Sequence, residues 1–119
     1  MIGIVDYGAG NISSVINALE RVGEDAEPIP DPSLVADYDR LILPGVGSFR
    51  LAMEELNKRH WPSAIRSHVE SGKPLMGICL GMQLLFDTGD EDGPNNGLGL
   101  IPGCVSLLRP GGSNRVPHV

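Results

Sequence analysis

A cysteine stands between two glycines in the segment GICLG, residues 77–81, where one apolar run gives way to another. The order glycine, any residue, nucleophile, any residue, glycine is typical of a sharp turn from a strand into a helix. Such a turn strains the backbone of its central residue, and flanking glycines relieve the crowding of neighbouring side chains. Cys79 would then lie above the carboxyl ends of the strands, where open α/β sheets place their sites. The pattern predicts a nucleophilic thiol.

Two groups after Cys79 are placed to assist it. The Leu80 N–H, in the first turn of the predicted helix, can donate to an oxyanion that forms on an attacked carbonyl. Gln83 lies four residues after the cysteine, on the same helix face, close enough to touch a bound substrate. The alternative is a buried core thiol, with glycines that only allow the helix to pack on its strand.

A second glycine turn follows another apolar run in LPGVGSF, residues 43–49. Gly45 and Gly47 flank Val46 and let the Val46 peptide plane turn its N–H in either direction. This N–H could be the second oxyanion donor, opposite Leu80. The alternative is an ordinary turn between a strand and a helix, with no chemical role.

A cysteine nucleophile commonly requires a histidine as its base. His60 and His68 lie in the polar helical segments KRHW and RSHVE, and we expect both to face solvent. His118 is the penultimate residue, a poor place for a catalytic base. Cys104 lies in an apolar strand with no helix behind it, so it is expected to be core filler.

The elements that must position these groups alternate between strand and helix. Apolar strands are predicted in MIGIVDY, RLILPG and PLMGI; helices are expected after the caps Asn11 and Ser48, over residues 62–71, and in LGMQLLFD. EPIPDPSLVADYD contains three prolines and is expected to be mostly loop, with room for a short edge strand. TGDEDGPNNG is expected to be an acidic surface loop. LGLIPGCVSLL should be a strand interrupted at Pro102 and Gly103. The alternation predicts an α/β fold with a largely parallel sheet and helices on both faces.

Composition limits the classes of function. The 119 residues contain 41% hydrophobic and 20% charged residues and carry a net charge of -6. This acidity argues against nucleic-acid and anionic membrane surfaces as partners, and no apolar run is long enough to span a bilayer. Two cysteines without a CxxC or His-rich cluster suggest neither a disulfide framework nor a metal site. We expect a cytoplasmic protein with reduced thiols and no cofactor.

Taken together, the motifs DYGAGNI, LPGVGSF and GICLGMQLLF, with a terminal PHV, resemble the class I glutamine amidotransferases. The likeness spans the whole chain in the order of the family's motifs. It is greatest to the glutaminase subunits of imidazole glycerol phosphate synthase, from histidine biosynthesis. The resemblance implies a flavodoxin-like fold, L-glutamine as substrate, a glutamyl thioester on the cysteine, and ammonia passed to a cyclase subunit. That partner is a (β/α)8 barrel that forms a heterodimer with the glutaminase.

The resemblance also implies roles for individual residues, each carried over by its motif. The family reorients the loop that holds the second oxyanion donor when the partner is occupied. The implied roles are nucleophile for Cys79, oxyanion donors for the N–H groups of Leu80 and Val46, members of the Val46 loop for Gly45 and Gly47, glutamine contact for Gln83, and partner contact for Asn11 and His118.

The chain departs from the family pattern in one respect. Family members are considerably longer and take their catalytic His and Glu from a later H-P-E segment that this sequence does not contain. Residues 1–119 are therefore expected to be the N-terminal portion of one amidotransferase domain, C-terminally incomplete and without glutaminase turnover on its own. Apolar edges left uncovered would favour poor solubility or oligomerisation.

Three other functions remain open at this stage. The chain could be an amidotransferase that serves another acceptor, such as a surface-sugar precursor. It could be a non-catalytic flavodoxin-like module that binds phosphate or a partner through its glycine turns. A different cysteine hydrolase would require a histidine of this chain close to Cys79.

Overall fold

The computed structural model describes residues 1–91 and 93–108. A short 3₁₀ helix, Pro32–Asp37, lies between the second and third strands. The strands are β1 (Ile2–Val5), β2 (Ala26–Ile29), β3 (Arg40–Leu43), β4 (Leu75–Gly77), β5 (Phe86–Gly89), β6 (Asn95–Asn96) and β7 (Ile101–Val105), and the α-helices are α1 (Ile12–Arg21), α2 (Phe49–Lys58), α3 (Trp61–Glu70) and α4 (Leu80–Gln83).

The main sheet has four strands in the order β2-β1-β3-β4, and all of its pairings are parallel. Strand β3 is central and pairs Leu41 with Leu75 and Leu43 with Gly77 of β4. Because parallel strands end at the same edge, the loops after β1, β3 and β4 meet there. The predicted parallel sheet is confirmed.

Two apolar clusters cover the two faces of this sheet. On one face Ile4 and Ile42 pack beneath the apolar side of α1. On the other face Leu43 packs with side chains of α2 and α3, including the fully buried Trp61 and Ile65. Successive strand residues point to opposite faces, so the continuous apolar runs of β1 and β3 supply both clusters. Helices on both faces are confirmed.

The starts of α1 and α2 follow the predicted caps. The Ser14 N–H donates to the Asn11 side chain at 3.3 Å, and the Leu51 N–H donates to the Ser48 hydroxyl at 3.3 Å. Each side chain satisfies a backbone donor that has no partner within its helix.

The predicted helix in LGMQLLFD is wrong beyond its first turn, because α4 spans only Leu80–Gln83. The carbonyls of Leu84 and Leu85 accept hydrogen bonds at 2.8 Å from the N–H groups of Leu98 and Leu100. The helical pattern itself ends at Leu85, whose N–H donates to the Met82 carbonyl at 3.2 Å, three residues back, and the chain then turns into β5.

A second, smaller sheet has the order β6-β5-β7, with β5 antiparallel to β6 and parallel to β7. Strand β6 and the end of β5 lie within TGDEDGPNNG, so the expectation that this whole segment is a loop is wrong. The expected interruption of the last strand is also wrong, since β7 runs through Pro102 and Gly103. A shift in the β5–β7 register accommodates them, and the Gly103 N–H donates to the Asp87 carboxylate at 3.1 Å.

Apolar side chains remain exposed at β4, one of the two edge strands of the main sheet. Met76 is 60% exposed and lines an apolar groove of about 190 Å³ with Leu19 of α1 and Ile42 of β3. This exposure agrees with the expectation of uncovered apolar surface. In the part of the chain that the structure describes, no helix is both long and apolar enough to cross a bilayer.

Candidate functional site

Cys79 occupies the corner between β4 and α4. Its backbone angles are φ 54° and ψ −124°, a combination that residues other than glycine rarely adopt. The residue is exposed, so the turn presents the thiol to solvent. We call residues 77–81 the cysteine corner. The bend and the outward thiol agree with the sequence prediction, and the alternative of a buried core thiol is wrong.

The two glycines of the cysteine corner are required by close packing. A β-carbon added to Gly77 would lie 2.5 Å from the Met82 α-carbon. One added to Gly81 would collide with the Leu43 carbonyl oxygen and lie 2.8 Å from its carbon. The corner can therefore turn this tightly against β3 only without side chains at these two positions.

Gly45, Val46 and Gly47, called here the glycine loop, pack against the cysteine corner. A β-carbon on Gly45 would lie 2.8 Å from the Gly81 nitrogen and 3.2 Å from the Leu80 β-carbon. Gly45 is buried, whereas Val46 is 58% exposed and Gly47 has φ 87°. The structure thus brings together Gly45 and Gly81, which are 36 residues apart in the sequence.

Two backbone N–H groups, one in the cysteine corner and one in the glycine loop, have no backbone acceptor in the described part of the chain. The Gly81 N–H donates to the Ile78 carbonyl at 2.9 Å, and the Met82 N–H donates to the Cys79 carbonyl at 3.0 Å. Within residues 1–91 and 93–108, the N–H groups of Leu80 and Val46 donate to no backbone carbonyl. A thiol followed directly by the unused Leu80 N–H can attack a carbonyl and stabilise the resulting oxyanion, and the glycine loop that carries the Val46 N–H packs against the same turn.

The structure adds Tyr7, a residue that sequence reasoning missed. Its hydroxyl donates to the Pro44 carbonyl at 2.7 Å, directly before the glycine loop. The side chain is fully buried, and desolvation raises the pKa of Tyr7 to about 12. The only sequence signal was a tyrosine after the apolar run of β1, and nothing local indicated its distant partner.

Asn11 lies beside the same loop through the turn that precedes it. A β-carbon on Gly10 would lie 3.0 Å from the Pro44 β-carbon and 3.4 Å from the Gly45 nitrogen. Asn11 itself is exposed and caps α1. A group that contacts Asn11 from solvent would therefore lie next to the base of the glycine loop.

Gln83 is half-buried at the end of α4. It lines a cavity of about 220 Å³ that also includes Glu91, Val105 and Leu108. This cavity opens between the end of α4 and the segment after β7. His118 lies outside the described residues.

The structure corrects two expectations about thiol and imidazole groups. His68 is buried, 4% exposed, and its Nε2 lies 2.8 Å from the Pro74 carbonyl oxygen. Its burial follows from packing of α3 against the 3₁₀ helix and places it at the start of β4, whereas Cys79 follows the end of that strand. Cys104 is exposed on β7, an edge strand that pairs only with β5 among the described strands. His60 is exposed, as expected.

No metal centre accompanies this site in the described part of the chain, where no three His, Cys, Asp or Glu side chains are grouped to hold an ion.

Comparison with known proteins places these motifs in a family. Residues 3–109 match the model of the CobB/CobQ-like glutamine amidotransferase domain. The imidazole glycerol phosphate synthase subunit HisH of Wolinella succinogenes is 53% identical over 122 residues, which cover all of this chain and 60% of that protein. The HisH subunit of Geobacillus kaustophilus is 51% identical over 123 residues, covering all of this chain and 58% of the relative.

The chain spans little more than half the length of these bacterial relatives. It also matches 20% of the chloroplastic imidazole glycerol phosphate synthase hisHF of Arabidopsis thaliana, at 45% identity over 116 residues and 98% of this chain.

Solved structures support the fold. A crystal structure of a glutamine amidotransferase superposes with a TM-score of 0.75 at 23% identity, covering 88% of this chain and 55% of the other. A peptidase E protein from Listeria monocytogenes superposes with a TM-score of 0.67 at 13% identity, covering 84% and 62%. The family match extends over both the glycine loop and the cysteine corner. The chain therefore belongs to the glutamine amidotransferase family, in the group described by the CobB/CobQ-like glutamine amidotransferase domain.

Proposed function

We propose that this chain is the cysteine-bearing portion of a glutaminase subunit of imidazole glycerol phosphate synthase, in histidine biosynthesis. The observation that carries the proposal is the exposed thiol of Cys79 on a strained corner, with the glycine loop packed against it. The names of the HisH relatives support the choice of acceptor pathway.

The proposed chemistry begins at the side-chain amide of glutamine. The Cys79 sulfur forms a bond to the amide carbon, and the carbonyl oxygen becomes an oxyanion that accepts hydrogen bonds from Leu80 and Val46 N–H groups. The carbon–nitrogen bond then breaks, the nitrogen takes up a proton, and ammonia leaves a glutamyl thioester. Water attacks the thioester, releases glutamate and returns the proton to the sulfur. Gln83 is proposed to contact the bound glutamine.

Proton transfers in these steps require a general base and acid. The sequence has no H-P-E segment, and His68 lies at the opposite end of β4 from Cys79. We therefore propose that residues 1–119 are the N-terminal portion of one amidotransferase domain and hydrolyse glutamine immeasurably slowly by themselves. The position of His68 also weighs against a cysteine hydrolase that uses this histidine.

The ammonia acceptor is proposed to be a separate cyclase subunit, a cytoplasmic (β/α)8 barrel that forms a heterodimer and carries the lyase step. Asn11 and His118 are proposed to face it. Asn11 fits this role because it is exposed and adjoins the turn that packs on Pro44, at the base of the glycine loop.

The test is covalent labelling with 6-diazo-5-oxo-norleucine, a diazo-ketone analogue of glutamine. We expect one adduct, mapped by peptide mass spectrometry to Cys79, with loss of dinitrogen and formation of a thioether. Cys104 is the matched reference thiol, since it is also exposed. Free glutamine should slow the reaction at Cys79 and leave Cys104 unaffected.

The Cys79→Ala variant must lose this adduct, while Cys104→Ala must retain it. Preferential modification of Cys104 would contradict the assignment of the nucleophile. Robust glutamine hydrolysis by the isolated 119-residue chain would contradict the proposed requirement for a base and acid from outside it.

A further inference from the structure

We propose that Tyr7 is a positioning residue for the oxyanion donor: its hydroxyl anchors the Pro44 carbonyl so that reorientation of the glycine loop is confined to the Val46 peptide. This inference rests on the proposed function, because it assigns the Val46 N–H to the oxyanion. Tyr7 lies outside both the cysteine corner and the glycine loop, so the proposal adds a residue from a third part of the chain.

The covalent geometry of the loop gives the reason. The Pro44 carbonyl and the Gly45 N–H belong to one planar peptide unit. A hydrogen bond of 2.7 Å from the buried Tyr7 hydroxyl holds that plane at its carbonyl. The next peptide unit carries the Val46 N–H, and within the described residues it donates to no backbone carbonyl. The first plane is therefore held by a hydrogen bond at its carbonyl, whereas the N–H of the second has no backbone acceptor in the described chain.

Packing around Gly45 reinforces this anchor. A β-carbon on Gly45 would lie 2.8 Å from the Tyr7 hydroxyl oxygen and 2.8 Å from the Gly81 nitrogen. Gly45 is thus enclosed between the tyrosine hydroxyl and the first turn of α4. Removing the hydroxyl would open space on one side and leave the Pro44 carbonyl without its donor, so the start of the glycine loop would no longer be held.

The hydroxyl keeps its proton under all ordinary conditions. Burial raises the pKa of Tyr7 to about 12. The side chain therefore donates to Pro44 throughout the pH range in which thiol reactions are measured, and its role does not depend on titration.

The test uses Tyr7→Phe and two electrophiles that differ in their need for an oxyanion donor. The chloromethyl ketone analogue of glutamine reacts when the Cys79 sulfur bonds to carbon and chloride leaves, assisted by donors that polarise the ketone oxygen. Iodoacetamide forms its carbon–sulfur bond by displacing iodide without an oxyanion. Rates at Cys79 and at the exposed reference thiol Cys104 are read from the same digests.

We expect the chloromethyl ketone rate at Cys79, normalised to Cys104, to fall about tenfold in Tyr7→Phe. This is less than the roughly hundredfold or greater loss caused by removing an oxyanion donor outright, since Val46 remains present but less well placed. The iodoacetamide rate at Cys79 should stay within about twofold, because access to the thiol is unchanged.

Tyr38→Phe is the matched control. The Tyr38 hydroxyl donates to the Glu27 carboxylate at 2.5 Å, near the starts of β2 and β3 and away from the cysteine corner. Its loss should change neither rate.

Different failures give different results. If unmodified protein shows no faster chloromethyl ketone reaction at Cys79 than at Cys104, the proposed function fails. If that preference exists but Tyr7→Phe retains it, or if both electrophiles slow equally, the role of Tyr7 is overturned. Should Tyr7→Phe not fold, NMR of the unmodified chain tests the anchor instead. After Cys79 is labelled, the Tyr7 hydroxyl proton must stay in slow exchange while the Val46 amide resonance shifts. Loss of the hydroxyl proton signal would contradict the anchor.

Discussion

Gly81→Ala tests whether the cysteine corner depends on close backbone packing. Gly81 lies in α4 with an ordinary backbone conformation, so helix propensity alone would favour alanine by about 0.5–1 kcal/mol. The structure predicts instead that alanine at this position destabilises the fold. The new methyl group would meet the Leu43 carbonyl oxygen and would lie 2.8 Å from the Leu43 carbon and 3.0 Å from the Pro44 carbonyl carbon.

The magnitude follows from what has to move. Carbon atoms in contact normally lie about 3.5–4.0 Å apart, so the backbone must separate by at least about 0.7 Å to clear the Leu43 carbon. The obstacle is β3, which is paired on both sides by β1 and β4 and cannot shift without disturbing two ladders. Overpacking of this kind costs about 1–3 kcal/mol, and we expect the upper end because the obstacle is backbone. With an unfolding entropy of about 2.1 cal/mol/K per residue, about 3 kcal/mol lowers the melting temperature of a chain of 119 residues by roughly 12 °C.

The assay is thermal unfolding followed by circular dichroism, with Gly23→Ala as the control. Gly23 has φ 82° and nothing within 4 Å of an added β-carbon, so its substitution introduces conformational strain without a clash, about 1–2 kcal/mol. Gly81→Ala should therefore melt below Gly23→Ala. If Gly81→Ala melts at or above the temperature of the unmodified protein, the corner does not depend on this packing.

Two further predictions concern stability. Because burial raises the pKa of Tyr7 from 10.0 to about 12, the unfolded chain loses this proton first as the pH rises. The contribution of the protonated tyrosine to the free energy of unfolding is fully present below pH 10 and falls towards pH 12 by up to about 3 kcal/mol. Urea midpoints at successive pH values would show this decline, and Tyr7→Phe must make it shallower; an identical decline in that variant would contradict the assignment. Asn11→Ala removes the cap of α1 and should cost about 1 kcal/mol in urea denaturation, whereas Asn17→Ala, exposed within the same helix, should not destabilise. Equal midpoints for the two variants would show that the cap contributes nothing.

Features set by neighbouring residues were predictable from the sequence. The caps Asn11 and Ser48 act on N–H groups three residues later, and their effect is visible in any short window. The bend at Cys79 was equally local, since Gly77 and Gly81 are required within one turn of the chain. The alternation of such segments was then enough to predict the parallel sheet.

Features set by distant residues were not predictable in the same way. The chain leaves α4 for β5 because Phe86–Gly89 pairs with β6 and β7, strands formed by residues that lie 6 to 19 positions further along the sequence. The burial of His68 depends on the 3₁₀ helix that packs against α3, although the surrounding segment is polar. Tyr7 and Pro44 are 37 residues apart, and only the folded chain shows that one anchors the other.

The pairing of β3 with β4 has a consequence for how this region tolerates change. Leu43 is in register with Gly77, and the Ile78 N–H donates to the Leu43 carbonyl at 3.0 Å, so both loops leave the sheet from one ladder rung. The distance between the starts of the two loops is therefore set by the spacing of neighbouring strands, about 4.8 Å, and does not depend on loop length. Insertions farther along either loop would change the direction of its groups but not the positions at which the loops leave the sheet. A shift of the β4 register by a single residue would displace the Cys79 sulfur and turn every side chain of that strand to the opposite face.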